Sequence, residues 1–595
     1  MASEKLQRTL RFTDVFFLSF GGQSPLLSLL TYGAVVLTFA GFFAPIVLLM
    51  ATVIVVINGL VILRLSRRFT STGGYYIYAM RTLSERTGFQ TGWMYLFYSV
   101  LFGSAYVVGA AFVINFVLGL NPVLIVLALS IPAVIFLITG VNPSAKYAII
   151  AGTFEIVAIL SVFAISIYLA GGHVYSPVMS YQGLSSADIA LAVLFAMGIP
   201  TGYGAIAPIS GEIVNAHRTV GRVAISVIIS GGLLAAVFIY GVANLLVFRG
   251  IPVSGLHSSL GIIYAIKNMF GPYSGDILDI LILGAINDGI LAVLSFSVAA
   301  SRTLYKMSSD GPVPDVFSKL RGKQPINANL AVGTGMIVIP AIVTIFAPPS
   351  LGFIVLGTVA VFGGLFIHLT ANFSLLRVGM RKFRRTIGRK ARFLQKLKGG
   401  KEITLALVAI LLSGLDLVYS ILSTNTIYGL FFLAWIVVGY LILDVREIVL
   451  RTPLMSTKTN LVDNLMNQKL KGIDAMGVRS VLPDVTVNLD DSMKDAIDKC
   501  MKMDSPGAIV LDKHGRAAGT LELRKLVSLS DEEVSSMKVQ DFDLGKVVKV
   551  SPTEPASRLA EIFRTDHIPL LAIVDRDGTF MGTIREVEIL RKTLT

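Results

Sequence analysis

Two apolar segments of this chain are broken in the same way. Residues 16–36 are interrupted by Gly21-Gly22-Gln23-Ser24-Pro25, and residues 191–209 by Gly198-Ile199-Pro200-Thr201-Gly202-Tyr203-Gly204. A break in a lipid-exposed helix strands N–H and C=O groups where no water satisfies them, so it survives where protein or a wet cavity lines it. A pair of such breaks in two halves of a membrane chain points to a binding site near the midplane. Gly and Pro also occur in transmembrane helices as plain kinks. Two breaks, each glycine-rich and each with a proline, favour the site.

Composition agrees with a polytopic membrane chain. Of 595 residues, 54% are hydrophobic and 15% charged, against about 45–50% and 25% in soluble domains. A membrane-crossing helix needs about 20 mostly apolar residues. Twelve segments qualify: 13–40, 42–63, 89–119, 122–140, 146–170, 187–209, 221–248, 276–306, 329–347, 350–376, 402–421 and 425–445. The start, MASEKLQRTLRF, lacks a cleavable signal pattern, so the first segment is expected to stay as a transmembrane helix. A single cysteine, Cys500, excludes an intramolecular disulfide and a cysteine-based metal site.

The net charge of +14 is unevenly spread: residues 1–471 hold 34 Lys+Arg and 16 Asp+Glu, and residues 472–595 hold 17 and 21. Basic residues cluster before segment one and after segments two, six, eight and ten; positions 377–401 alone hold eleven and no acid. Lys/Arg-rich loops face the cytoplasm. With twelve spans both termini are then cytoplasmic, in the cell membrane, and no nucleic acid is implied. The 377–401 stretch suits anionic lipid headgroups, although an ordinary cytoplasmic loop explains it as well.

A transmembrane domain over 1–450 is thus expected, then a polar linker over 451–479 and a soluble region over 480–595. The soluble region repeats itself at a spacing of 63. Asp512-Lys513-His514-Gly515 matches Asp575-Arg576-Asp577-Gly578, Gly519-Thr520 matches Gly582-Thr583, and Val485-Thr486-Val487 matches Val548-Lys549-Val550. Each copy, about 480–530 and 540–595, reads strand, amphipathic helix, strand, turn, strand, helix. In the first helix Met493, Ala496, Ile497, Cys500 and Met501 are expected on one packed face, which makes Cys500 a small buried hydrophobe.

Several stretches resemble the amino acid–polyamine–organocation (APC) superfamily of permeases. They are Arg64-Leu65-Ser66-Arg67-Arg68-Phe69 with Ser71-Thr72-Gly73-Gly74-Tyr75-Tyr76, then Gly88-Phe89 with Gly92-Trp93. Gly211-Glu212-Ile213-Val214-Asn215-Ala216-His217-Arg218 and residues 301–314, which read SRTLYKMSSDGPVP, carry it further. The resemblance spans roughly 8–448. It implies a leucine-transporter fold, all-α, with twelve helices arranged as a five-plus-five inverted repeat and two more. The family's Gly-Ser-Gly in helix one reads Gly22-Gln23-Ser24-Pro25 here, which weakens any inference about the substrate carried. The soluble repeat resembles a tandem pair of cystathionine-β-synthase (CBS) domains, an α/β Bateman module. This implies an adenine nucleotide as regulatory ligand and pairing into homodimers. The expected nucleotide residues are Thr520, Lys525, Thr583 and Glu588. The family's ribose-binding Asp is Lys525 in one copy and Glu588 in the other.

At the breaks, a zwitterionic amino acid needs donors for its carboxylate and acceptors for its ammonium. N–H groups at Gly21, Gly22, Gln23 and Ser24, opening a half-helix, are expected to supply the donors. Carbonyls at Ala196, Met197 and Gly198 supply the acceptors, Met197, Thr201 and Tyr203 face the side chain, and glycines such as Gly202 let the ligand approach the backbone closely. No charged side chain lies in either break, which favours a neutral substrate. Coupling needs an ion. Glu155 and Asp288 lie deep in helices five and eight, and intramembrane carboxyls are functional hypotheses by default; a carboxyl bonded for structure alone is the bland alternative. Some proton-coupled relatives carry a lysine in this part of helix five. Ser295 and Ser297 suggest sodium more weakly, and His368 reads as structural. There is no phosphate-cradling loop, nucleophile–base pair or metal cluster, so neither an enzyme nor a resident cofactor is expected. A proton-coupled amino acid transporter with a regulatory CBS pair results. Its rivals are a membrane amino acid sensor and a CBS-regulated inorganic ion carrier.

Overall fold

A computed structural model describes residues 6–253, 260–321, 324–384, 389–446, 475–478, 484–503, 505–526, 531–556, 558–559, 562–563, 570–575, 577–585 and 588. The chain divides into two compact units, Met1–Met455 and Ser456–Thr595. The expected linker 451–479 lies outside the described residues except for a short helix, Ala475–Val478.

The first unit is helical throughout. Its opening helices are α1 (Phe12–Gly21), α2 (Pro25–Ser28), α3 (Ala34–Ala40) and α4 (Ala44–Ser66). A π-helical turn, Leu29–Gly33, joins α2 to α3. Then come α5 (Gly74–Thr82), α6 (Glu85–Leu118), α7 (Pro122–Thr139), α8 (Val141–Leu169) and α9 (Ser186–Met197). The unit continues with α10 (Ala216–Phe248), α11 (Gly261–Met269), α12 (Ser274–Asp310) and α13 (Ile326–Phe346). It closes with α14 (Pro349–Arg384), α15 (Arg389–Ser423) and α16 (Thr426–Asp444). Local chemistry sets several starts. Side chains of Ser84, Asn121, Ser185 and Asn425 cap α6, α7, α9 and α16 by accepting early N–H groups. Pro122 stands first in α7, where its missing N–H costs nothing.

Among the described residues, eleven helical stretches are long and apolar enough to cross a membrane. The first, Phe12–Ser66, covers two of the twelve expected segments. It turns at Gly41, whose φ of +55° no β-carbon favours. The basic stretch expected as a loop, 377–401, is instead mostly helical: it extends α14 to Arg384 and starts α15 at Arg389. Gly379 and Gly399 let these helices touch, since a β-carbon at either would lie 3.1 Å from a backbone nitrogen of the other helix.

The core forms where α6 packs along α12 and α14, and α10 packs along α4 and α8. The chain's two tryptophans bolt α16 to α6. Their rings stack at 4.3 Å, and each indole N–H donates to the other's carbonyl, at 3.0 and 3.2 Å.

In the second unit, β1 (Thr486–Asn488), β2 (Gly507–Leu511) and β3 (Ala517–Glu522) form one sheet. A second sheet holds β4 (Lys549–Val550), β5 (Leu570–Val574) and β6 (Phe580–Arg585). In each, the first pair is parallel and the second antiparallel. Thr486 pairs with Ile509, and Lys549 with Ala572, so the spacing of 63 carries through to register, with an irregularity at the same place in both sheets. The turns repeat too. Asp512 accepts the N–H groups of His514 and Arg516, and Asp575 those of Asp577 and Thr579, with Gly515 and Gly578 at positive φ.

Helix Met493–Lys502 buries Met493, Ala496 and Cys500, and burial pushes the Cys500 thiol pKa up. Met501, expected on that face, is 70% exposed. At about 100° per residue it falls past the edge of the buried stripe.

The N–H groups of Arg516 and His514 hold the Asp512 carboxyl below its ordinary pKa. A depressed carboxyl stabilises the fold above its unfolded value of about 3.9 and loses that contribution as pH falls through the folded value. Asp512→Ala is therefore expected to speed amide exchange at His514 and Arg516 at pH 7, and the difference from wild type should hold down to about pH 4 and shrink only below it, as pH falls through the depressed folded value.

Candidate functional site

Break one is a tight, fully bonded turn. The N–H groups of Gly22, Gln23 and Ser24 donate to the carbonyls of Leu18, Phe20 and Gly21 at 3.3, 2.9 and 3.0 Å. In this conformation the donors expected to meet a substrate carboxylate are thus turned back onto their own chain. Ser24 takes φ +44°, and Pro25 restarts the helix. Pro25 has no N–H, so the first free donors of the new helix come later. The carboxylate of Asp288 takes one of them: Leu27 N–H donates to its Oδ2 at 2.6 Å. Ser24 Oγ donates to the Asp288 carbonyl at 3.3 Å. Gln23 leaves the break sideways and donates from Nε2 to Val227 O at 3.1 Å. It lies against Gly231 of α10, where a β-carbon would sit 2.2 Å from Oε1.

Break two differs from expectation. The segment expected as one broken helix over 187–209 is α-helical to Met197 and does not resume. Turns and two 3-10 turns, Gly202–Ala205 and Ser210–Glu212, carry the chain to Asn215. Gly198, Pro200, Gly202, Gly204, Pro208 and Gly211 crowd these positions and disfavour a helix. The carbonyl of Ala196 accepts Ile199 N–H at 3.2 Å, and that of Gly198 accepts the Thr201 hydroxyl at 2.8 Å. Met197 ends the half-helix.

The two breaks are in contact. Ser19 Oγ donates to Gly202 O at 3.1 Å. A β-carbon on Gly202 would lie 2.3 Å from Ser19 O and 2.5 Å from Gln23 N, both rigid backbone. Ser295 of α12 donates its hydroxyl to Leu18 O, while the Ser297 hydroxyl is buried without a partner among the described residues.

Glu155 and Asp288, from α8 and α12, meet. Both are fully buried, and each carboxyl lies close enough to act electrostatically on the other. The two Glu155 oxygens and Asp288 Oδ1 have no hydrogen-bond partner among the described residues. A protonated carboxyl of such a pair donates to the other.

Two arrangements escaped sequence reasoning. Tyr203 Oη shares a 3.1 Å hydrogen bond with His368 Nε2, beside Tyr75 and Tyr95, and Tyr95 Oη donates to Gly204 O at 3.1 Å. Arg302 is wholly buried and forks onto Glu212, Nε to Oε1 at 2.6 Å. It also donates to Asn329 Oδ1 at 2.9 Å and Gln324 Oε1 at 2.7 Å. The Glu212 carbonyl accepts N–H groups from both Thr9 and Leu10 at 3.0 Å, so this network ties the start of the chain to the exit of break two. Both partners lie in stretches already singled out as motifs, but nothing in their spacing pairs them.

In the soluble unit, Asp484 Oδ1 accepts from Thr583 N at 2.8 Å and Thr583 Oγ1 at 2.6 Å. Thr520 exchanges 2.8 Å backbone bonds with Gly545. Glu588 is buried, and the Lys525 side chain lies outside the described residues.

Eleven long apolar helical stretches among the described residues, two of them interrupted and in contact, define a multi-pass membrane protein. The chain belongs to the amino acid permease family, whose sequence model matches residues 14–456. The CBS-domain model matches residues 539–594. No curated protein matches the chain. Among solved structures the chain is similar to a protein from Methanocaldococcus jannaschii at 18% identity, over 20% of this chain and 58% of that one, TM-score 0.19. It is also similar to the CBS domains of a transcriptional regulator from Streptococcus pneumoniae at 15% identity, over 18% and 84%, TM-score 0.16. A third is CBSX2 in complex with AMP, at 18% identity over 20% and 96%, TM-score 0.18. The permease family points to a transporter rather than an enzyme, and CBS domains point to regulation.

Gly202→Ala must push the breaks apart and is expected to cost about 1–3 kcal/mol. Gly198→Ala, whose β-carbon would meet Phe195 O at 3.2 Å and then the Tyr32 ring at 3.9 Å, is expected to cost less. Thermal unfolding of the detergent-solubilised variants compares them.

Proposed function

We propose that the protein is a secondary active amino acid transporter driven by protons, with access alternating around the two breaks. The observation that carries this reading is the contact between Glu155 and Asp288, because Asp288 also holds the first turn of the restarted helix through Leu27 N–H. A charged carboxylate grips an N–H more strongly than a neutral one. Proton occupancy of the pair thereby bears on how firmly helix one is held. Substrate binding is assigned to Gly21, Gly22, Gln23, Ser24, Ala196, Met197, Gly198, Thr201, Gly202 and Tyr203, with Leu27 added as a donor that Asp288 releases. Sodium is the alternative coupling ion.

The soluble pair is assigned a regulatory role, with an adenine nucleotide as ligand and Thr520, Lys525, Thr583 and Glu588 as candidate contacts. A ligand at Thr583 has to displace Asp484, which holds both of its donors. We place both termini in the cytoplasm of a cell-membrane protein, with homodimers formed through the soluble unit.

The test is uptake of a radiolabelled amino acid mixture into proteoliposomes, with an inward proton gradient and no sodium. Wild type is expected to accumulate substrate. Glu155→Gln and Asp288→Asn are expected to lose gradient-driven accumulation at least tenfold while still exchanging labelled for unlabelled substrate. Accumulation that persists in both variants removes the carboxyl pair from coupling.

A further inference from the structure

A cavity of about 140 Å³ lies beside break two, and its walls come from four helical segments. Thr31 and Tyr32 belong to the restarted half of helix one, Phe112 to α6, Phe195 to α9, and Phe353 and Thr358 to α14. The aromatic residues form a continuous wall. Tyr32 lies 5.3 Å from Phe353 and 6.5 Å from Phe195, centroid to centroid. The Tyr32 ring is wedged between two glycines. A β-carbon on Gly198 would come within 3.9 Å of its edge, and one on Gly357 within 2.6 Å of its hydroxyl. Phe195 stands three residues before Gly198 in the half-helix whose carbonyls were assigned to the substrate ammonium. The far end of the cavity reaches Ser350 and Ile354 in the first turns of α14, where Ile354 is 47% exposed.

The chemistry of the walls is selective. None of the lining residues carries a formal charge, and the surface is overwhelmingly carbon. The Thr31 hydroxyl is already spent on the Leu27 carbonyl at 2.7 Å. A charged side chain entering here leaves its hydration behind and finds no countercharge among the lining residues, a penalty of several kcal/mol or more. Size points the same way. An apolar cavity of roughly 150 Å³ stays dry and takes a ring the size of benzene. A methyl or hydroxymethyl group leaves most of this space empty and forfeits the contacts of its walls.

We propose that this cavity receives the side chain of the transported amino acid and restricts the protein to neutral substrates with a bulky apolar side chain, branched aliphatic or aromatic. The assignment rests on the transport reading above and adds the substrate class to it. Thr358 and Phe112 act as specificity residues. Thr358 narrows the end on α14, and Phe112 closes the side formed by α6.

The experiment is competition and direct uptake in proteoliposomes of the full chain, read as kcat/KM for leucine, phenylalanine, alanine, serine, arginine and glutamate. Leucine and phenylalanine are expected to exceed alanine and serine at least tenfold, with arginine and glutamate inert. One methylene gained or lost in a hydrophobic pocket moves such a ratio by about 10–200-fold. Thr358→Phe is expected to lower the leucine-to-alanine ratio at least tenfold, and Phe112→Ala to move preference toward tryptophan. Because the two variants push in opposite directions, a general folding defect imitates neither. Equal use of alanine, serine and leucine, uptake of arginine, or ratios unmoved in both variants overturns the assignment and leaves the transport reading standing. If no amino acid is taken up and none raises the unfolding temperature of the purified protein, both fall.

Discussion

The structure of the membrane unit depends on one constraint: backbone polar groups cut off from water must be bonded inside the protein. Two interrupted helices violate this unless each supplies the other. Here they do so by direct contact, with Gly202 flush against the backbone of break one and the Ser19 hydroxyl on its carbonyl. The remaining groups are absorbed locally. Three N–H groups fold back within break one, and Ser295 caps the Leu18 carbonyl from α12. The glycines are therefore a packing requirement first. Any substrate must enter a junction that is already bonded, and takes over bonds that the chain now makes to itself.

That closure explains where the charge sits. Pro25 lacks an N–H and Ser24 is turned to positive φ, so the opening donors of the restarted helix point past the break toward α12. Asp288 fills them. A carboxylate there is favourable for the same reason a substrate carboxylate would be, since both meet a helix start rich in unbonded N–H groups. Glu155 behind it adds a second carboxyl with no hydrogen-bond partner among the described residues. Chemistry expected of a ligand is thus performed by a tethered side chain.

The features legible in the sequence were those set by neighbours along the chain. The spacing of 63 appeared because Asp and Gly at the turns act within four residues, and the sheets repeat register for register. Break one was legible because Gly-Gly and Ser-Pro act locally. Break two was legible as a break but not as a helix that fails to resume, because hydropathy continues through Ile206 and Ile209 while Pro208 and Gly211 deny the geometry. The helical extension through 377–401 was hidden because basic residues are good helix formers, and charge placement reports the side of the membrane rather than the conformation. Met501 was misplaced by one step of 100° on its helix. The Glu155–Asp288 contact was half legible. Depth along each helix flagged both residues, but rotation about the axes decides whether they meet.

The Arg302–Glu212 network was not legible at all, and its physics bears on how the junction opens. Its members come from α12, the exit of break two, α13 and the segment before α13. The backbone of Glu212 also holds Thr9 and Leu10 ahead of α1. Next to it, Gly73 N–H donates to Pro208 O at 3.0 Å and the Ser210 hydroxyl to Ser71 O at 2.7 Å. One end of the junction is therefore tied by polar groups bonded to one another, whereas the apolar cavity lies beside the other half of break two, where α9 ends. A buried ion pair gives up hydration to form, and admitted water returns that hydration as the pair separates. An apolar seal of similar area recovers nothing when wetted. Charge closes one end of the junction and carbon lines the other, so wetting costs less at the Arg302–Glu212 end than at the apolar wall.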